Sequence, residues 1–155
     1  MVTYFTKNGF ENYYRKISEL EKEIINLKKC SQENSDSIIL VGYSLDRDPI
    51  LEELTNMESH LLNYYSKINE AKIIEYPKNI DGKVVLGCKV NINLNGQEKN
   101  YEIVAFDEDN LEDGKISYNS PIAKSLIGKK INDNFEVNLP KSKINIKILN
   151  IMPIK

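Results

Sequence analysis

The sequence predicts an α+β protein, an N-terminal antiparallel α-helical coiled-coil hairpin followed by a small β-sheet domain that carries one short helix. Three observations lead there. Apolar residues in the first half recur at alternating spacings of three and four, the helical coiled-coil signature. The second half switches to short strand-like runs separated by turn residues. Between them lies Tyr76 to Gly82, where Pro77 and Gly82 break both kinds of element, which reads as a linker. The expected division is therefore residues 1–75 as an arm, 76–82 as linker and 83–155 as a C-terminal domain.

In the arm, Phe10, Tyr13, Ile17, Leu20, Ile24 and Leu27 form one stripe. Ile50, Leu54, Met57, Leu61, Tyr64, Ile68 and Ala71 form a second. Two narrow stripes of this kind bury each other, while Glu19, Glu21, Lys22, Glu23, Lys28, Lys29, Glu52, Glu53 and Lys67 fall on solvated faces. The second helix has a clear start, with Asp48 as cap and Pro49 at the first helical position, where its missing N–H costs nothing. It is expected to run to about Glu75. A helix of roughly 25 residues is about 40 Å long. A hairpin of that length has little core of its own, so it reads as an arm built to reach something.

The tip, about residues 31–48, holds a polar stretch, the apolar run Ile38 to Val41, and then G-Y-S-L-D-R-D. Two readings stand open. Either the apolar patch faces outward at the end of the arm, or the first helix continues through it and the patch folds back on the second helix.

In the second half, Lys83 to Leu94 reads as a strand that ends at Asn95-Gly96, a two-residue hairpin signal, with Gln97 to Phe106 returning. An acidic loop, D-E-D-N-L-E-D-G, precedes a short strand from Lys115 to Tyr118. Ser120-Pro121 reads as cap and first turn of a helix over Ile122 to Ile127, with Gly128 past its end. Two last strands, near Asn134 to Leu139 and Lys143 to Ile151, join at Pro140 to Ser142.

The formal net charge of −2 argues against a protein that grips nucleic acid by neutralising phosphates. No apolar run approaches the roughly 20 residues needed to span a bilayer, and the N-terminus does not read as a secretion signal. Cys30 and Cys88 read as reduced thiols of a cytosolic protein. With the single His60 they cannot make a zinc site of the usual kind, and His60 falls just outside the apolar stripe.

V-V-L-G-C-K-V from Val84, Y-E-I-V from Tyr101 and K-I-S-Y-N-S-P-I-A-K-S-L-I-G-K from Lys115 to Lys129 resemble the C-terminal domain of the GreA/GreB transcript cleavage factors. The pattern I-S-x-x-S-P-(L/I)-A-x-x-L-(L/I)-G-K is the specific part, and Glu108 fits the acidic stretch that precedes it. In the arm the resemblance rests on Thr6 to Gly9, the two stripes, and N-E-A-K-I-I from Asn69. Ala105 and Asn132 depart from the family pattern, each standing where a Gly is common.

The resemblance implies a hairpin joined to an FKBP-like domain, cytoplasmic and bacterial, whose partner is core RNA polymerase. The domain would dock on the β′ coiled-coil rim through Asn119, Ser120, Pro121 and Ile122, and the arm would enter the secondary channel. Nucleic acid would be met only indirectly or near the RNA 3′ end, and no membrane is involved. Such a factor is no enzyme of its own. At most it stimulates the polymerase's cleavage of RNA, with the polymerase's Mg²⁺ as the only cofactor. The family's two tip carboxylates match Leu40 and Tyr43 here, and neither binds a cation. Asp46 and Asp48 are the remaining weak candidates, Asp46 for a shared Mg²⁺. The expected function is thus a polymerase-binding elongation regulator without efficient cleavage. The alternatives are a cleavage factor with a rearranged tip using Asp46 and Asp48, and a protein-interaction module with a coiled-coil spacer.

Overall fold

A computed structural model describes residues 2–39, 49–139 and 142–154. The chain runs β1 (Thr3–Phe5), α1 (Lys7–Ile39), α2 (Pro49–Asn69), β2 (Ala71–Ile73), β3 (Cys88–Leu94), β4 (Gln97–Val104), β5 (Lys115–Ser117), α3 (Pro121–Leu126), β6 (Asn134–Leu139) and β7 (Ser142–Pro153). It divides into two compact units, one made of residues 1–3 and 11–71, the other of 4–10 and 72–155.

The first unit is the helical hairpin. Tyr13, Ile17, Ile24 and Leu54 are buried at stripe positions. Tyr13 and Tyr64 meet edge to face with ring centroids 5.1 Å apart, the geometry that aromatic quadrupoles favour. Leu20 and Leu61, also on the stripes, are only half-buried, because two helices alone cannot enclose every seam residue. The antiparallel pairing is marked by two polar rungs, Tyr65 donating to Glu21 and Lys28 reaching Glu58 at 2.7 Å. His60 is exposed. The first helix continues through residues 31–39 of the expected tip.

Two expectations are corrected at the hairpin's base. The second helix ends at Asn69, not near Glu75, and Ala71 leaves the stripe to enter β2. A helix beyond Asn69 would leave β1 without a partner. Instead Thr3 N–H donates to Glu70 O at 3.0 Å, and Ile74 N–H to Phe5 O at 2.8 Å. The β-branched pair Ile73-Ile74 suits that extended course. Phe10 likewise leaves the expected coiled-coil seam and packs edge-on to Phe5 at 5.7 Å in the second unit.

The second unit is built on a five-stranded sheet of order β5-β4-β3-β7-β6, antiparallel except for the parallel β4–β5 pair. Along β3 the alternation sends Cys88, Val90 and Ile92 into the core and Lys89, Asn91 and Asn93 to the other face. A bulge opposite Asn91/Ile92 shifts β7 by one residue, so Ile148 pairs with Ile92 and Ile151 with Val90. Ile103, Ile116, Ile146, Ala123 and Leu126 complete the core. Asn95 and Gly96 turn the β3–β4 hairpin with φ of 50° and 90°, as a two-residue loop requires, and Asn93 Oδ1 accepts from Gly96 N–H at 2.7 Å.

The strand expected from Lys83 begins only at Cys88, because Gly87 has φ 86° and breaks the extended run. Upstream, Val84 N–H donates to Lys129 O and Gly128 N–H donates to Val84 O, each at 2.8 Å. Residues 76–82, read as linker, are partly built into this unit. Ile80 packs on the core, and the Tyr76 hydroxyl accepts from Ala105 N–H at 2.8 Å while donating to Glu108.

Candidate functional site

The residues singled out at Asn119–Ile122 come together at one corner of the second unit. The parallel pairing of β5 with β4 brings the chain there, and Tyr118 N–H continues it by donating to Val104 O at 3.0 Å. Tyr118 is the anchor. Its ring is nearly buried against Tyr4, centroids 5.5 Å apart, and its hydroxyl accepts from Tyr4 N–H at 3.1 Å.

From that anchor the chain turns tightly. Ser117 Oγ accepts from Asn119 N–H at 3.3 Å, and Ser117 O accepts from Ser120 N–H at 2.9 Å. Ser120, extended with φ −63° and ψ 149°, caps α3 by accepting from Ala123 N–H at 3.2 Å. Pro121 follows at the first helical position, where its fixed φ fits and no N–H is missed. Ala123 and Leu126 are fully buried beneath the helix, and Ile122 packs partly on the same core. A cap above and a core below constrain the backbone at Asn119, Ser120 and Pro121. Pro121 is exposed, and Asn119, Ser120 and Ile122 are half-buried.

An apolar groove of about 650 Å³ lies alongside, lined among others by Tyr118, Ile127, Ile80, Val85 and Leu86. Its residues come from segments far apart in sequence, one of them read as linker, and no local pattern could have gathered them. Ile127 is 39 % exposed at its edge. The signal available beforehand was modest: an apolar Ile placed directly after a buried helix and directly before Gly128.

Among the described residues of this unit, Tyr76 and Cys88 are shifted, both chiefly by burial. Tyr76 is pushed up by burial and by its hydrogen bond to Glu108. The Cys88 thiol is pushed up by burial, against backbone hydrogen bonds that act to lower it. Among the described residues no cluster of three or more His, Cys, Asp or Glu side chains could hold a metal ion. No helix among them is long and apolar enough to cross a membrane. Leu40, Tyr43, Asp46 and Asp48, the tip residues singled out from sequence, lie outside the described residues.

Comparison with known proteins bears on the whole chain. A family model described as the C-terminal domain of transcription elongation factor GreA/GreB matches residues 78–153. The chain is 35% identical over 153 residues to transcription elongation factor GreA of Staphylococcus saprophyticus, with 94% of each chain covered. It is 32% identical over 144 residues to the GreA of Shouchella clausii, covering 91% of this chain and 88% of that one. Among solved structures, GreA factor homolog 1 (Gfh1) of Thermus thermophilus is similar at 24% identity and a TM-score of 0.40, with 97% of this chain and 99% of that one covered.

Proposed function

Because the chain belongs to the GreA/GreB family of transcription elongation factors, we propose that it binds core RNA polymerase and regulates elongation without efficient transcript cleavage. In this reading the corner at Asn119–Ile122 docks on the β′ coiled-coil rim, and the hairpin lies in the secondary channel. The setting is the bacterial cytoplasm, where the polymerase works. The rigidity of the corner supports the docking role. A partner that meets Pro121 and Asn119 there meets a backbone already ordered by the Ser120 cap, so less loop-ordering entropy is lost on binding.

The observation that carries the non-cleaving part is the identity of residues 40 and 43. RNA hydrolysis at a two-metal centre needs a second divalent ion, which a polymerase binds more weakly than the first. Added carboxylate oxygens strengthen that site, because hard cations such as Mg²⁺ take oxygen ligands. Leu40 and Tyr43 stand where the family's two acids are matched, and an alkyl chain and a neutral phenol supply no such ligand. The protein then occupies the channel and slows rescue of backtracked complexes by competing with factors that do cleave. A second reading is favoured by one feature, the pair Asp46 and Asp48 within the same tip. One helical turn of displacement would bring Asp46 near the matched site.

A reconstituted backtracked complex with Mg²⁺ and this protein separates the two. The expected result is little release of short 3′ RNA fragments, and slower release when a cleaving factor is also present. Rapid release that disappears in Asp46→Ala would instead establish the rearranged tip. Installing the acids by Leu40→Asp with Tyr43→Glu is expected to create cleavage, since only the ligands are missing.

A further inference from the structure

The two polar rungs of the hairpin fix which of its sides is which. With Tyr13, Ile17, Ile24 and Leu54 buried in the seam, Glu21 and Lys28 on α1 and Glu58 and Tyr65 on α2 all take heptad position e. The rungs therefore mark the side where the two e rows meet. Position b lies next to e on each helix. Five large apolar side chains of the described hairpin are well exposed: Tyr14 58%, Ile25 53%, Leu51 62%, Leu62 71% and Tyr65 37%. Tyr14, Leu51 and Tyr65 are at e, and Ile25 and Leu62 at b. Every one of them is on the same flank. The other side, positions c, f and g, carries Arg, Lys, Glu, Asn, Ser, His60 and Cys30 among the described residues. A hairpin that needed only to stay folded in water has no use for that asymmetry.

Resting on the polymerase reading above, we infer that this e/b flank is a second contact surface for the polymerase, one that lies against an apolar protein wall edged by basic groups. Two features select that occupant. The first is area. The strip from Tyr14 to Lys28 is about 21 Å long, and a flank about 20 Å wide gives roughly 400 Å². A stable pair of copies needs about 800 Å² from each partner, so the strip is too small to hold a dimer by itself. It suffices as an added contact for a chain already docked elsewhere, where a second weak site acts at high effective concentration. The second feature is charge. Within the hairpin unit, residues 11–71, Glu11, Glu21 and Glu58 share the flank with one cation among the described residues, Lys28, which Glu58 already pairs. That acidic balance repels phosphates, so the occupant is protein and not RNA, and it complements basic groups at the rim of an apolar wall.

The test uses the full chain and purified core polymerase. Ile25→Ser with Leu62→Ser removes apolar surface that is more than half exposed, so helicity and melting of the free protein are expected to stay unchanged. Affinity for core polymerase is expected to fall about tenfold. His60→Ala with Asn63→Ala, on the opposite side, is expected to leave it alone. A photo-crosslinker at position 62 is expected to label polymerase, and one at position 63 is not. If wild type binds and the Ile25/Leu62 variant binds as tightly, the flank assignment is overturned while the polymerase reading stands. If wild type does not bind, both are overturned. A concentration-dependent dimer in sedimentation that the same variant disperses would assign the flank to a second copy, against the inference.

Discussion

Tyr76 donates its hydroxyl proton to one oxygen of Glu108, while the Thr6 hydroxyl meets the other oxygen of the same carboxylate. The Tyr76 oxygen also accepts from Ala105 N–H at 2.8 Å, and Thr6 Oγ1 accepts from Gly9 N–H at 3.0 Å. One carboxylate thus joins the start of α1, the segment after β2 and the loop after β4 within the second unit. Removing Tyr76's hydroxyl leaves a half-buried carboxylate oxygen and the Ala105 amide short of partners. Tyr76→Phe is therefore expected to cost about 1–3 kcal/mol in denaturant unfolding. Glu108→Ala, which strands two hydroxyls at once, is expected to cost at least as much. A wild-type midpoint in Tyr76→Phe would show that this network contributes nothing.

The same tyrosine makes stability depend on alkaline pH. Its folded pKa is raised, chiefly by burial and then by the hydrogen bond to Glu108, above the unfolded value near 10. The neutral form is therefore favoured by folding. Its contribution is complete below about pH 10 and is lost as pH rises toward the higher folded value. Melting temperature is expected to drop above pH 10 more steeply in wild type than in Tyr76→Phe. Parallel curves for the two proteins would exclude the linkage.

The thiols differ by burial. Cys88 is fully buried and its pKa is raised by desolvation, whereas Cys30 is exposed on α1. Since the thiolate is the reacting species, a thiol reagent at neutral pH is expected to modify Cys30 quickly and Cys88 only on unfolding. Two fast equivalents of label in the native protein would contradict the placement of Cys88 in the core.

Gly87 is expected to resist substitution. Its φ is 86°, and an added Cβ would stand 2.6 Å from Tyr76 Cδ1 and 2.8 Å from Pro77 Cδ. Gly87→Ala combines backbone strain with a clash against the segment that carries Tyr76, at an expected cost of about 1–3 kcal/mol. Gly96→Ala has the strain without the clash, as nothing lies within 4 Å of its added Cβ, and should cost less. The comparison of the two midpoints separates the terms.

At the docking corner, cap and contact are separable. Ser120→Ala removes the acceptor for Ala123 N–H and is expected to cost about 1 kcal/mol of stability. Asn119→Ala with Pro121→Ala should leave melting nearly unchanged and abolish binding to core polymerase. Retained binding in that double variant would move the contact elsewhere on the unit.

Local chemistry made much of this protein readable in advance. The alternating three-four spacing is itself the geometry of a helix seam, so Tyr13, Ile17, Ile24 and Leu54 could be named as buried from sequence alone. Asn95-Gly96 and Ser120-Pro121 announce a hairpin and a helix start because their backbone preferences are intrinsic. Tertiary structure decided the rest. Ala71 to Ile73 became a strand only because β1, almost 70 residues earlier, offers an unpaired edge. Tyr76 and Ile80 were linker by composition, yet Ala105, Glu108 and the core of the sheet hold them. The groove beside Tyr118 and the carboxylate shared by Thr6 and Tyr76 gather residues from distant segments. Spacing along a chain encodes which face of an element a side chain occupies. It does not encode which other face will be brought against it, and those features depend on that second choice.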